Sequence, residues 1–186
     1  MRHIRSAEGY NAIVDLIQRE REPSICWQEL LTLTKQSGIH RLTAVDVSAE
    51  IVSVAYQLES IWSHEPIPEG ATFLYFGLYD LHDEKMPRGR AGLYLSGGSD
   101  PNPTEELRVG CALPYLPKNG HLKCELLEQV KIAEAELPAE ADVLDYAVML
   151  GGAALIIKGA TQVRGVSLPV YVGFDSGDFL LVSARR

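Results

Sequence analysis

The stretch Ala71–Leu81, ATFLYFGLYDL, constrains the fold more than any other part of the chain. Phe73, Leu74, Tyr75, Phe76, Leu78 and Tyr79 are all apolar or aromatic, broken only by Gly77. A strand with one wet face alternates apolar and polar side chains. This run does not alternate, so it predicts a central strand covered on both faces. The rest of the chain has to supply two covering layers.

The first third reads as helix. Residues 6–21 place Tyr10, Ile13, Val14 and Ile17 on one face behind Ser6 as a cap. Residues 24–37 repeat the spacing with Trp27, Leu30, Leu31 and Thr34, and Gly38 is the expected stop. Residues 38–43 read as a connection. A third helix starts between Thr43 and Ser48 and ends near His64, before Pro66 and Pro68. Its stripe is Val47, Ile51, Val54, Ala55, Leu58 and Trp62.

After the central strand, residues 83–89 read as a turn and Ala91–Ser96 as an antiparallel partner. Residues 97–103, GGSDPNP, are dense in turn formers. A third strand is expected over Leu107–Ala112, and a fourth helix over Leu122–Glu136. A fifth helix is expected over Ala141–Lys158, apolar nearly all round and therefore buried. Gly151 and Gly152 would let a neighbour approach it closely, and Ala153–Ile157 also fits a short strand. A closing hairpin, Leu168–Phe174 and Phe179–Ser183, flanks Asp175–Asp178. The strands and helices show no βαβ rhythm. The expected fold is therefore α+β, a mainly antiparallel sheet of about five strands packed with helices. It forms one domain over residues 1–186, with residues 1–68 as a helical section and 71–186 as the sheet with two helices.

Composition narrows the function. The net charge of −8 opposes binding to nucleic acid and to anionic membranes, and it suits a basic partner. The start of the chain has no apolar signal-peptide core, and the longest nearly apolar run, Tyr146–Ile157, is short for a membrane span. Cys26, Cys111 and Cys124 form no metal-binding or redox spacing and read as buried free thiols. These features place the protein in the cytoplasm, with no cofactor and no resident metal expected.

Three clusters invite chemistry. Asp80, His82 and Asp83 bring carboxylate and imidazole together at a strand end, the raw material of a small metal-dependent hydrolase. A metal site needs three or four converging ligands, and a solvated strand end accounts for the same residues. Ser96-Gly97-Gly98-Ser99 follows a strand as phosphate loops do, but Pro101 and Pro103 stand where a helix would begin. The third cluster is acidic. Residues 121–145 carry seven acids, among them Glu125, Glu128, Glu134 and Glu136, against Lys123 and Lys131. This stretch is either a solvated helix face or a docking surface for a basic protein, which Glu65, Glu69, Asp83 and Glu84 would extend. Trp62, Tyr75 and Tyr115 are its candidate aromatic anchors, if exposed. A third option is a small-molecule pocket between the sheet and the apolar helix.

In size, acidity and α+β make-up, and in the closing segment Val170-Tyr171-Val172-Gly173-Phe174-Asp175-Ser176-Gly177-Asp178-Phe179, the chain resembles the immunity proteins of bacterial polymorphic-toxin and contact-dependent inhibition systems. The resemblance implies a non-enzymatic protein that binds one cognate toxin and blocks its active site or its access to substrate.

Overall fold

A computed structural model describes residues 7–83, 86–100, 113–140, 143–174 and 178–183, with backbone alone for 7–9, 80–83, 86–90 and 145. Four helices come first: α1 (Ala7–Gln18), α2 (Pro23–Leu33), the single turn α3 (His40–Thr43) and α4 (Val47–His64). Pro23 opens α2, where its missing N–H costs nothing. The chain leaves α2 through Lys35, at φ +62, and the Gln36 N–H closes on the Leu31 carbonyl at 2.6 Å. The helix thus stops before the expected Gly38, because a left-handed residue followed by a backbone bond ends it first. The expected connection at 38–43 contains α3. Asp46 caps α4 by accepting the Ala49 N–H at 3.0 Å.

The sheet holds five strands in the order β3-β2-β1-β4-β5. They are β1 (Phe73–Asp83), β2 (Met86–Gly98), β3 (His121–Leu122), β4 (Val170–Phe174) and β5 (Phe179–Ser183). Three pairings are antiparallel and β1–β4 is parallel. A parallel pair needs a long crossover, and α5 (Glu125–Glu136) and α6 (Leu150–Val163) lie within it. The expected turn at 83–89 is mostly strand, since β1 runs on to Asp83 and β2 starts at Met86. The expected strand at Leu107–Ala112 lies outside the described residues. A two-residue strand at His121–Leu122 pairs with Tyr94 and Leu93, which delays the helix expected from Leu122 until Glu125. The apolar stretch before Pro169 is helix throughout: a π-turn over Leu144–Met149 continues into α6. Its alternative as a strand over 153–157 is thereby settled. The Tyr146–Val163 stretch is long and apolar enough to cross a membrane, but 72% of it is buried inside the fold, as a core helix would be.

β1 is the middle strand and is covered on both faces. Leu74, Phe76 and Leu78 share one core with the helices, including Trp27, Leu30, Val54, Leu58, Leu126 and Ile156. Gly152 lets α6 close on Trp27 and Leu126. The Trp27 indole N–H is not lost in that core, because it donates to the Leu42 carbonyl at 2.9 Å.

The opposite face is an aromatic layer of Phe73, Tyr75, Tyr79, Tyr94, Tyr171 and Phe179. Its rings meet edge to face, Phe73 on Tyr171 at 5.9 Å and Tyr171 on Phe179 at 5.9 Å. Two cross-strand pairs explain how so many rings fit. Gly77 sits opposite Tyr94 and Gly92 opposite Tyr79. Each tyrosine lies across the facing glycine: a Cβ on Gly77 would meet Tyr94 Cζ at 2.0 Å, and one on Gly92 would meet Tyr79 Oη at 2.4 Å. The glycine that breaks the run in β1 is therefore the seat of a ring from β2.

Candidate functional site

The acidic stretch divides in two. Glu134 pairs with Lys131 at 2.6 Å, and Lys131 is itself buried. Glu136 takes both oxygens to the Arg41 guanidinium, at 2.6 and 2.7 Å. These two carboxylates are engaged within the fold, and they tie α5 to itself and to α3. Glu125 and Glu128 differ. Both are exposed in the first turn of α5, where negative charge suits the helix dipole, and neither has an ion-pair partner among the described residues. Asp83 ends β1, and its side chain and all of Glu84 lie outside the described residues.

α4 fixes this acidic turn in place. The Glu50 carboxylate accepts the Glu125 N–H at 2.8 Å. Two turns on, Gln57 brackets Lys123, accepting its N–H and donating to its carbonyl, both at 2.9 Å. These bonds hold the α5 N-terminus against one edge of α4. The outer face of α4, turned away from Val54 and Leu58, carries Tyr56, which is 67% exposed, and Val52 one turn before it. Tyr56 is the one aromatic among the large hydrophobic side chains found exposed in the described residues. The outer face of α4 thus exposes an aromatic ring, and a neighbouring edge of the same helix holds the acidic first turn of α5. Such a surface can hold a partner, and it presents no reacting group.

The anchors expected from the sequence lie elsewhere. Tyr75 is fully buried in the aromatic layer, Tyr115 is buried, and Trp62 is half-buried against the core. Each belongs to an apolar run whose packing consumes it. Tyr56 falls off the apolar stripe of its helix, so the spacing of apolar residues does not mark it. An aromatic between Ser53 and Ser60 on a polar face was the available signal. Glu65, expected to extend the acidic surface, instead braces a loop by accepting the Lys118 and Asn119 N–H groups at 3.0 and 3.4 Å.

Tyr115 carries a testable consequence. Its hydroxyl donates to the Glu65 carbonyl at 2.9 Å. Burial, helped by the Glu65 carboxylate and opposed by the Trp62 indole, pushes its pKa up to about 12. The unfolded chain gives up that proton near its ordinary value of 10. Between those two pH values the folded form binds more protons, so stability falls as pH climbs through the window, by on the order of 2 kcal/mol in all. Tyr10 and Tyr171 are shifted the same way by burial. Ultraviolet titration of the native protein should show a tyrosine ionising near pH 12 that disappears in Tyr115→Phe. Ionisation of Tyr115 near pH 10 would show that its hydroxyl is wet.

For the hydrolase reading, Asp80 and Asp83 lie in β1, and the β1–β2 register shifts between Leu81 and Asp83. The strand does not continue evenly through His82. The side chains of these three residues lie outside the described set. Among the described residues no three His, Cys, Asp or Glu side chains gather as a metal site would require. Cys26 and Cys124 are buried free thiols, and burial raises both pKa values, which suppresses the thiolate. Cys111 lies outside the described residues. Indentations are found among the described residues, three of them as follows. An open groove of about 750 Å³ runs between α1 and α2. A cleft of about 300 Å³ lies between His64, Glu65 and His121. The largest of these three, about 1120 Å³, opens at the end of β5. Between the sheet and α6, the place considered for a small-molecule site, the described side chains of Leu74, Phe76, Ile156 and Val172 belong to one packed core.

Comparison with family models, with curated proteins and with solved structures finds no match to this chain. The functional reading therefore rests on the surface itself.

Proposed function

We propose that this chain is a non-enzymatic immunity protein, which binds a basic toxin domain made by the same bacterium and blocks its active site or its access to substrate. It docks through the outer face of α4 and the first turn of α5. The observation that carries this reading is Tyr56, two-thirds exposed on the helix that also holds the acidic first turn of α5 through Glu50. Leaving such a ring in water gains the fold nothing, whereas tyrosine is among the side chains that contribute most when an interface desolvates them. The acids suit a basic partner, and the chain's charge of −8 would draw one in.

The two parts of the surface separate in kinetics. With the polypeptide encoded beside this gene as the probe, Tyr56→Ala should speed dissociation roughly tenfold or more, as the loss of a central anchor does. Glu125→Lys with Glu128→Lys should slow association and flatten its dependence on salt. If both variants bind as the unaltered protein does, the docking face lies elsewhere.

A further inference from the structure

β5 is an outer strand, and among the described residues half of its free edge is uncovered. The Phe174 N–H bonds to the Asp178 carbonyl at 2.9 Å. In an antiparallel ladder this sets the alternation: Leu180 turns its backbone groups toward β4, while Phe179 and Leu181 turn theirs outward. Phe179 confirms it, because its carbonyl accepts the Tyr10 hydroxyl of α1 at 2.7 Å. Leu181 has no such cover. No backbone bond on its outward side is found among the described residues, and its side chain is 39% exposed. Natural edges usually carry a charge, a proline or a covering element, and β5, Phe-Leu-Leu-Val-Ser, has cover only over its first half.

The open half leads into the cleft of about 1120 Å³, walled by Gln18–Arg21 after α1 and by Gln162–Ser167 after α6. Lys158 stands in that wall. Its ammonium donates to the Ile17 and Arg19 carbonyls at 2.5 and 3.1 Å, which leaves one N–H, and no carboxylate lies within ion-pair distance among the described residues. Arg19 and Arg21 share a single carboxylate, Glu29. Glu20 also lines the cleft, so Arg19, Arg21 and Lys158 face Glu20 and Glu29, and one positive charge is left over in a chain of net charge −8.

We propose that the β5 edge and this cleft take an extended, acidic peptide segment, which adds a strand at Leu181 and sets a carboxylate near Lys158. Strand addition supplies backbone bonds at an edge, and the charged wall selects the sequence. A second copy of this chain is the less suitable occupant. An antiparallel β5–β5 pairing would run each strand across the half that Tyr10 and α1 occupy. This surface is distinct from the face of α4, so either can fail without the other.

The test uses the full chain, nitrogen-labelled, titrated with the blocked pentapeptide acetyl-Glu-Val-Thr-Val-Glu-amide. The expected result is saturable movement of the Leu181 amide signal. Replacing both glutamates of the peptide by glutamine should weaken binding roughly tenfold. Methylating the central threonine nitrogen, which removes a strand bond without touching the protein, should weaken it at least as much. Lys158→Met should reproduce the glutamine effect. Because Lys158 also holds the end of α1, the two peptide variants decide the matter should that protein fail to fold. Unmoved β5 amides, or equal binding of all three peptides, would overturn the proposal.

Discussion

Gly77→Val is expected to destabilise the protein by about 3 kcal/mol or more, because overpacking a filled site displaces what fills it. The new Cβ would stand 2.0 Å from Tyr94 Cζ, so the ring has to leave its seat. Tyr94 is buried and packs against Tyr75, with ring centroids 6.1 Å apart, so its departure also opens the aromatic layer. The expected signature is coupling. Tyr94→Ala costs stability alone, yet in the Gly77→Val background it should cost far less, because the clash disappears with the ring. A cycle of denaturant midpoints on the four proteins measures this interaction. Additive losses would mean that Tyr94 does not lie over Gly77.

Trp27→Ala should be the more damaging single change among the helices, at about 3–5 kcal/mol. Trp27 is 1% exposed, and it touches the position where α6 is thinned to Gly152. Its removal opens a cavity between α2 and α6 and leaves the Leu42 carbonyl without the indole donor. Natural domains hold only about 5–15 kcal/mol in all, so the variant should lose a large fraction of its margin and melt well below the parent. Trp27→Phe tests the two contributions apart. It restores most of the volume but not the N–H, so it should recover much of the loss and leave about 1–2 kcal/mol unrecovered. Full stability in Trp27→Ala would show that the helices do not share a core through this residue.

The features that could be read from the sequence were those that depend on one residue and its near neighbours. Phe73–Leu78 announced burial on both faces because no polar residue interrupts it. The stripe Val47–Leu58 announced α4, and the apolar 143–157 run announced a buried helix. The features that stayed hidden depend on pairing across the sheet. No local pattern states that Tyr94 will sit over Gly77, since that follows from the β1–β2 register. The polar residues around Asp83 looked like a turn, yet both strands extend to meet there. His121–Leu122 looked like the start of a helix until β2 took them as an edge strand. The site shows the same division. The acids of α5 were visible as a run of charge, and the Lys131–Glu134 pair follows from i,i+3 spacing on one helix, but that Arg41 claims Glu136 follows only from the fold. Tyr56 was legible in principle as an aromatic on a polar helix face.

The central functional claim is that the exposed face of α4 and the acidic turn of α5 neutralise a toxin. It is tested most directly by growth. The product of the neighbouring gene, which the immunity reading requires to be toxic, is expressed in cells with the unaltered protein, with the combined variant Tyr56→Ala, Glu125→Lys, Glu128→Lys, or with neither. All three substituted side chains are exposed, so the variant should fold, which its circular dichroism and melting curve will verify. The unaltered protein should restore growth and the folded variant should not. Growth arrest that the unaltered protein leaves unrelieved, or equal rescue by the variant, would contradict it.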